Sequence, residues 1–178
     1  MSKLEFQPIL TGRNITLRPL GTDDFPGLFQ AASDPAIWEQ HPDSTRYKRE
    51  VFRERFFSGA ITSGGAVAVI DNRTGGIIGS SRYYDWDPGK RELAIGYTFL
   101  VREHWGTGTN REMKELMLAH AFKHAVLVWF HVGRANLRSR RAVEKLGATL
   151  SHEEERDLVG EPFVQLYYKL YASAWNLS

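Results

Sequence analysis

Two short stretches of the chain combine residue types that could do chemistry. The first is EHWGTGTNREM, residues 103 to 113. Glycines cost backbone entropy, so a close pair such as Gly106 and Gly108 marks a main chain that turns sharply or approaches something closely. Here the pair follows strand-like residues and leads into a helical run. That arrangement aims free N–H groups and about +0.5 unit of dipole charge at one point. A phosphate or pyrophosphate fits there; the alternative is an ordinary strand-to-helix turn. No Lys-Ser/Thr pair follows the glycines and no third glycine closes a dinucleotide pattern, so neither nucleotide fingerprint is met. The second stretch is ANLRSRRAVEKLGA, residues 135 to 148. Asn136 suits the N-cap of the helix it opens, and its amide offers both a donor and an acceptor. Ser139 lies one turn on, on the same face.

Other chemistries are excluded or lack their pattern. The chain has no cysteine, so it carries neither disulfide nor thiolate, which fits a reducing compartment. Histidines 41, 104, 120, 124, 131 and 152 show no metal-ligand spacing: His120 and His124 share a helix face without a carboxylate at zinc-protease spacing. No metal is expected. A net charge of +2 is too small to imply nucleic acid by itself. Arg134, Arg138, Arg140, Arg141 and Lys145 read mostly as a solvated helix face, with one or two able to reach a nucleotide phosphate. Glu153, Glu154 and Glu155 read as solvent-facing. No stretch has signal-peptide or membrane-spanning length, and the expectation is a cytoplasmic protein with no membrane partner.

The elements that must position these residues alternate along the chain. At 178 residues a single domain over 1–178 is expected. Residues 15–20 read as a strand, 22–32 as a helix capped by Thr22 or Asp23, and 44–62 as a second helical region. Residues 66–70, 77–84 and 92–100 are β-rich, separated by turn chemistry at 72–76 and 85–89. They form an antiparallel meander. Met113, Leu116, Met117, Ala121 and Phe122 then give an apolar helical face through His124. Residues 126–132 are strand-like, 137–146 form a helix ended by Gly147, and strands follow at 148–157 and 163–170 after a turn at 159–162. The fold class expected is α/β (α+β): a mostly antiparallel mixed sheet of about six to seven strands, helices on both faces and one right-handed strand–helix–strand crossover.

Together, WGTGTNRE at 105–112 and the N-x-x-S…E-K-L-G pattern of Asn136, Ser139, Glu144, Lys145, Leu146 and Gly147 resemble the GCN5-related N-acetyltransferase (GNAT) superfamily. RNITLRPLGTDDF and IGYTFLVREHWGTG are similar to its ribosomal-protein N-terminal acetyltransferase branch. The resemblance implies splayed central strands and acetyl-CoA as co-substrate. It places the pyrophosphate on the amides of Gly106, Thr107, Gly108, Thr109, Asn110 and Arg111. Main-chain groups of Thr98, Phe99 and Leu100 would pair with pantetheine as a missing strand would, with an amide near Leu100 holding the oxyanion. Asn136 would meet the pantetheine amides. Trp38 and Tyr47 fall in the acceptor-side region of such a fold and could frame a substrate pocket; Trp38 could equally be core.

The chain also departs from the family pattern. Aligned on Gly108, Trp105 stands where Gln or Arg is usual, and Asn110 where Gly or Ala is usual. Val143 stands where many members carry the tyrosine that protonates the leaving thiolate. That role falls to Ser139 or to water. For the base that must deprotonate the amine, Glu92 is the first candidate, because period-two alternation puts Glu92, Ala94, Gly96 and Thr98 on one face. The alternative for Glu92 is an exposed carboxylate beside Lys90 and Arg91. Tyr97 and His104 are the other titratable groups nearby. The leading expectation is an N-acetyltransferase acting on a primary amine: a protein N-terminus, amino acid, polyamine or amine-bearing antibiotic. A non-catalytic acyl-CoA sensor and a ribosome- or RNA-associated module are the alternatives, with nucleic acid the weaker, and a homodimer is left open.

Overall fold

The computed structural model describes residues 3–175. Its strands are β1 (Leu10–Thr11), β2 (Ile15–Pro19), β3 (Ala66–Asp71), β4 (Ile77–Asp87), β5 (Glu92–Leu100), β6 (Leu127–Gly133), β7 (Thr149–Leu158) and β8 (Glu161–Tyr171). They form one sheet in the order β1-β2-β3-β4-β5-β6-β8-β7. Every pairing is antiparallel except β5 with β6. That α/β arrangement is the expected one, with eight strands rather than six to seven; the addition is β1 at the N-terminal edge, only two residues long.

Alternation along each strand sorts the core into two layers. Val67 and Val69 of β3 join Leu93, Ile95, Val128 and Phe130 in one apolar cluster, against Met113, Met117 and Leu118 of α4 (Thr109–Ala121) and Val143 of α5 (Leu137–Lys145). Ala66, Ala68 and Phe99 face the other way, against an aromatic cluster of Phe25, Trp38, Phe52, Phe56 and Phe57. Trp38 follows a short 3₁₀ turn (Pro35–Ile37); the others come from α1 (Phe25–Ala32) and from a second helical stretch: α2 (Arg49–Phe52), a π-helical turn (Arg53–Phe57) and α3 (Ser58–Ser63). The π turn bonds Ser58 N–H back to the Arg53 carbonyl and lets Phe52, Phe56 and Phe57 all be buried. Such turns concentrate at functional sites.

Four boundaries differ from the sequence reading. The second helical region begins at Arg49 rather than at residue 44, because residues 44–48 form turns after Asp43, which accepts the Thr45 N–H and hydroxyl. β4 runs on to Asp87, because Asp85 adopts a left-handed φ of 54° at a register shift and so keeps pairing through residues that look like a turn. α4 stops at Ala121, where the Phe122 N–H returns to the Leu118 carbonyl. Val159 and Gly160, both at positive φ, make a two-residue hairpin, the conformation whose twist matches its strands. Pro162 therefore lies inside β8, ahead of Gln165 where pairing with β6 stops, so no ladder bond to β6 is lost.

Candidate active site

The parallel pairing of β5 and β6 covers only Glu92–Ala94 against Leu127–Trp129. Beyond Ala94 the strands part, and the gap opens toward the end of β5 that feeds the glycine loop. A bulge in β5 shapes its edge. Gly96 pairs with Arg82 and Phe99 with Ser80, so Tyr97 and Thr98 together oppose Ser81. Tyr97 takes the bulge conformation at φ 50°, uncommon for a residue with a side chain. The Val101 N–H bonds the Ile78 carbonyl, and by antiparallel alternation Phe99 also turns its main chain to β4. The groups left facing the gap are those of Thr98 and Leu100. Of the three residues expected to line it, Phe99 is therefore turned away, and the Leu100 carbonyl already accepts the Trp105 indole N–H at 3.0 Å.

The loop after β5 is held from below and open above. Thr107 Oγ1 donates to the His104 carbonyl at 2.7 Å, and His104 Nδ1 lies 2.9 Å from Thr109 Oγ1. His104 Nε2 sits 3.7 Å from Asp71, so this histidine braces the loop. Glu112 accepts from the Asn14 N–H and Nδ2, both at 2.8 Å, which ties the first turn of α4 to the β1–β2 turn. Gly108 has φ 87°, and a Cβ there would meet nothing within 4 Å. The left-handed backbone demands glycine, and the space before it is free. Among the described residues no hydrogen bond engages the amides of Gly106, Thr107, Gly108, Thr109, Asn110 or Arg111. Six consecutive donors at a helix N-terminus suit a pyrophosphate. The Arg111 side chain turns aside to Glu115 at 2.8 Å.

Across the gap, Asn136 Oδ1 accepts the Ser139 N–H at 3.2 Å as the N-cap of α5. The cap uses one end of the amide and leaves Nδ2 for another acceptor. Val143 is buried in the main core and has no proton to give. Arg138 does not belong to a solvated face: its guanidinium carbon lies 3.7 Å from the centroid of the Trp105 ring, and its main-chain N–H donates to Gln40 at 3.1 Å. It thereby joins α5, the loop and the segment after α1.

Two sequence-derived candidates stand apart from this cluster. The bulge interrupts the alternation that put Glu92 on the face of Thr98. Thr98 Oγ1 accepts from Lys114 on the α4 side, whereas Ala94 and its neighbours two residues apart, Glu92 among them, face the opposite way. Glu92 is six residues up the strand, about 20 Å by strand rise, and lies 3.7 Å from Lys90. Trp38 is core: its indole N–H bonds the Ala32 carbonyl at 2.8 Å, and its ring packs on Phe52, Phe56 and Phe99. Tyr47 is half-buried against the same cluster.

The structure also brings to the gap residues that periodicity did not single out. Lys114 is wholly buried, with Nζ 2.6 Å from Thr98 Oγ1 and 5.9 Å from the Phe130 ring, so it reaches both diverging strands. Burial lowers it to about 7. A lysine between Met113 and Met117 on an apolar stripe was the available signal. On the other face, Tyr84 Oη passes beneath Gly96, where a Cβ would approach it to 3.0 Å, and meets His131 Nδ1 at 3.1 Å. Burial raises the Tyr84 phenol and lowers His131, so the pair stays neutral. Asp85, Ala94, Trp129, His131, His152 and Tyr167 line a cavity of about 230 Å³ beside it. Among the described residues no group of three or more side chains is arranged to hold a metal, and no helix is long and apolar enough to cross a membrane.

Residues 14–149 match the family described as Acetyltransferase (GNAT) domain. No curated protein matches the chain. Among solved structures, a GCN5-related N-acetyltransferase from Brucella melitensis superposes with a TM-score of 0.83 at 22% identity, over 95% of this chain and 80% of that one. A protein described as an acetyltransferase from T. thermophilus gives 0.78 at 28% identity, over 94% and 90%. The spermidine N-acetyltransferase of Vibrio cholerae, solved with CoA and spermine, gives 0.70 at 16% identity, over 90% and 97%.

Proposed function

Because this chain belongs to the GNAT acetyltransferase family, we propose that it transfers an acetyl group from acetyl-CoA to a primary amine by direct attack. The observation that carries this reading is the row of six unengaged amides from Gly106 to Arg111, beside a gap where β5 leaves β6. The amides would take the pyrophosphate. Thr98, Leu100 and Asn136 Nδ2 would order the pantetheine arm between the strands. Acetyl-CoA supplies the thioester; the chain supplies alignment, worth about 7–11 kcal/mol of barrier in favourable cases, and the Leu100 amide for the developing oxyanion.

Protons need a way out and a way in. Glu92 would require a water chain of roughly 20 Å along the strand, whereas Tyr84 and His131 stand at the gap. We assign the amine's proton to Tyr84 Oη, whose own proton passes to His131 Nδ1. Ser139 is the group proposed to relay a proton from water to the departing thiolate in place of the tyrosine that Val143 replaces, with Lys114 a second proton-bearing group below the gap. The acceptor could be a protein N-terminus, as the ribosomal-protein branch would imply, or a small amine. The cytoplasmic location expected of a cysteine-free chain belongs to the same proposal.

Calorimetric titration with CoA, followed by thiol release from acetyl-CoA across an amine panel, tests the reading. Saturable CoA binding and amine-dependent thiol release are expected. Binding without release from any amine would leave an acyl-CoA sensor instead.

A further inference from the structure

Two arginines sit deep on the face of the sheet opposite α4. Arg82, in the middle of β4, and Arg46, in the segment before α2, are 6% and 5% exposed. Both guanidinium carbons lie 5.8 Å from the centroid of the Phe56 ring, and Arg82 lies 3.8 Å from that of Tyr97. An arginine carries five N–H donors. Arg82 makes one hydrogen bond, to the Phe56 carbonyl at 3.4 Å, and Arg46 makes one, to His41 at 3.5 Å. The Arg82 Nε is buried without a partner among the described residues, and the Arg46 Nε has Asp43 Oδ2 at 3.6 Å, beyond hydrogen-bond distance.

Charge is as poorly matched as hydrogen bonding. Among the described residues the one carboxylate close by is Asp43, 3.6 Å from Arg46 and 3.4 Å from Arg55. Its other oxygen is held by the Thr45 hydroxyl at 2.6 Å. His41 is lowered to about 4 by burial and by the charge of Arg46, so it adds no positive charge at neutral pH. Arg46 has Asp43 as its counter-ion, whereas Arg82 has no carboxylate in contact among the described residues. Buried charge without a counter-ion is costly, and that of Arg82 persists beside the bulge. Arg82 pairs with Gly96, next to Tyr97, whose exposed ring covers the guanidinium. A ligand reaching Arg82 from the gap would have to displace that ring.

Resting on the acetyl-transfer reading, we propose that Arg82 and Arg46 form a carboxylate pocket for the acceptor. The substrate class that fits is a small amine bearing a carboxylate next to its amine, an α-amino acid or close analogue. Its carboxylate would receive the unpaired donors of the two guanidiniums, and its free amine would lie beside the bulge, toward the thioester. A polyamine brings only positive charge to two cations and is disfavoured.

The test uses matched triads: an α-amino acid, its carboxamide and its decarboxylated amine, compared at saturating acetyl-CoA. The expected result is kcat/KM about 10²-fold higher for the acid than for either partner, the worth of one or two charge-assisted hydrogen bonds. Arg82→Gln should erase that preference and leave CoA affinity unchanged. Thermal stabilisation of the CoA-bound protein by the acid, and not by the carboxamide, is expected as well and needs no turnover. Equal or better use of the amide and the amine would overturn the pocket while acetyl transfer stands. Failure of CoA to bind would sink the acetyl-transfer reading, and stabilisation of the free protein by the acid then decides the pocket alone. If no acid stabilises the protein in either form, the arginines are only packing against aromatic rings.

Discussion

Both sides of the gap hold hydrogen-bond donors that the protein itself does not satisfy, and they differ in what those donors cost. On the loop, the amides of Gly106 to Arg111 are unengaged, but Gly106, Thr107 and Gly108 are exposed and water serves them until a ligand comes. On the opposite face, among the described residues, Arg82 and Arg46 keep Nε donors without a hydrogen bond in a buried aromatic setting, Arg46 beside Asp43, and below the gap Lys114 is buried with two hydroxyls near. Open donors are nearly free of cost to stability, whereas buried ones lower it. The first kind of site can be written in five or six consecutive residues. The second needs partners from distant elements, and its stability cost identifies it.

The largest expected effect strikes the loop. Gly108→Val forces a β-branched residue to φ 87° and should weaken CoA binding about 10²-fold or more, the worth of one or two charge-assisted bonds. Circular dichroism should still report a folded protein. Unchanged affinity in such a variant would detach the loop from the cofactor.

Next is Ser139→Ala, which should lower kcat by about 10², the lower end for a general acid, with little change in CoA affinity. Equal turnover would make water, or Lys114, the acid.

Lys114→Met tests the cost of the buried side. Removing an unpaired buried cation should raise stability by about 1–4 kcal/mol near neutral pH. The sign with pH follows from the lowered value of about 7. Between there and the ordinary lysine value of about 10.4, the unfolded chain holds a proton that the folded chain does not. Wild-type stability therefore rises with pH across that window, and the rise should vanish in the variant. Denaturant melts at several pH values measure both; a destabilised Lys114→Met would show that the Thr98 contact outweighs burial.

Asn136→Ala should cost about 1 kcal/mol as a lost cap and also raise the CoA dissociation constant severalfold. A stability loss alone would leave Asn136 a cap and nothing more.

The smallest effect is expected at Glu92→Gln, whose pH–rate profile should overlay the wild type. His131→Gln should lower activity most at low pH, where free amine is scarce. The reverse pattern would restore Glu92 as the base.

Much of the fold was legible because its signals are local. Val67 and Val69 alternate with Ala66 and Ala68 in a way that a single strand reveals, and the glycine pair announces its loop through backbone conformation that few other residues adopt. The N-cap at Asn136 was likewise visible from residue type and position. Glu92 shows where such reading stops. One extra residue at Tyr97 reverses every side chain beyond it, and nothing in ELAIGYTFL marks that residue, since the bulge exists only in the register against β4, where Tyr97 and Thr98 together oppose Ser81.

By itself, then, the sequence determined the order of strands and helices, the amide-rich loop and the absence of thiol chemistry, because each depends on neighbours within a turn or two. Tertiary structure alone decided which groups meet at the gap. Lys114 became a buried cation only when α4 docked under Thr98 and Phe130. Arg46 and Arg82, thirty-six positions apart, became a pair only when the π turn brought Phe56 between them. Burial and unmet charge are properties of an environment, and an environment exists only once distant segments have packed.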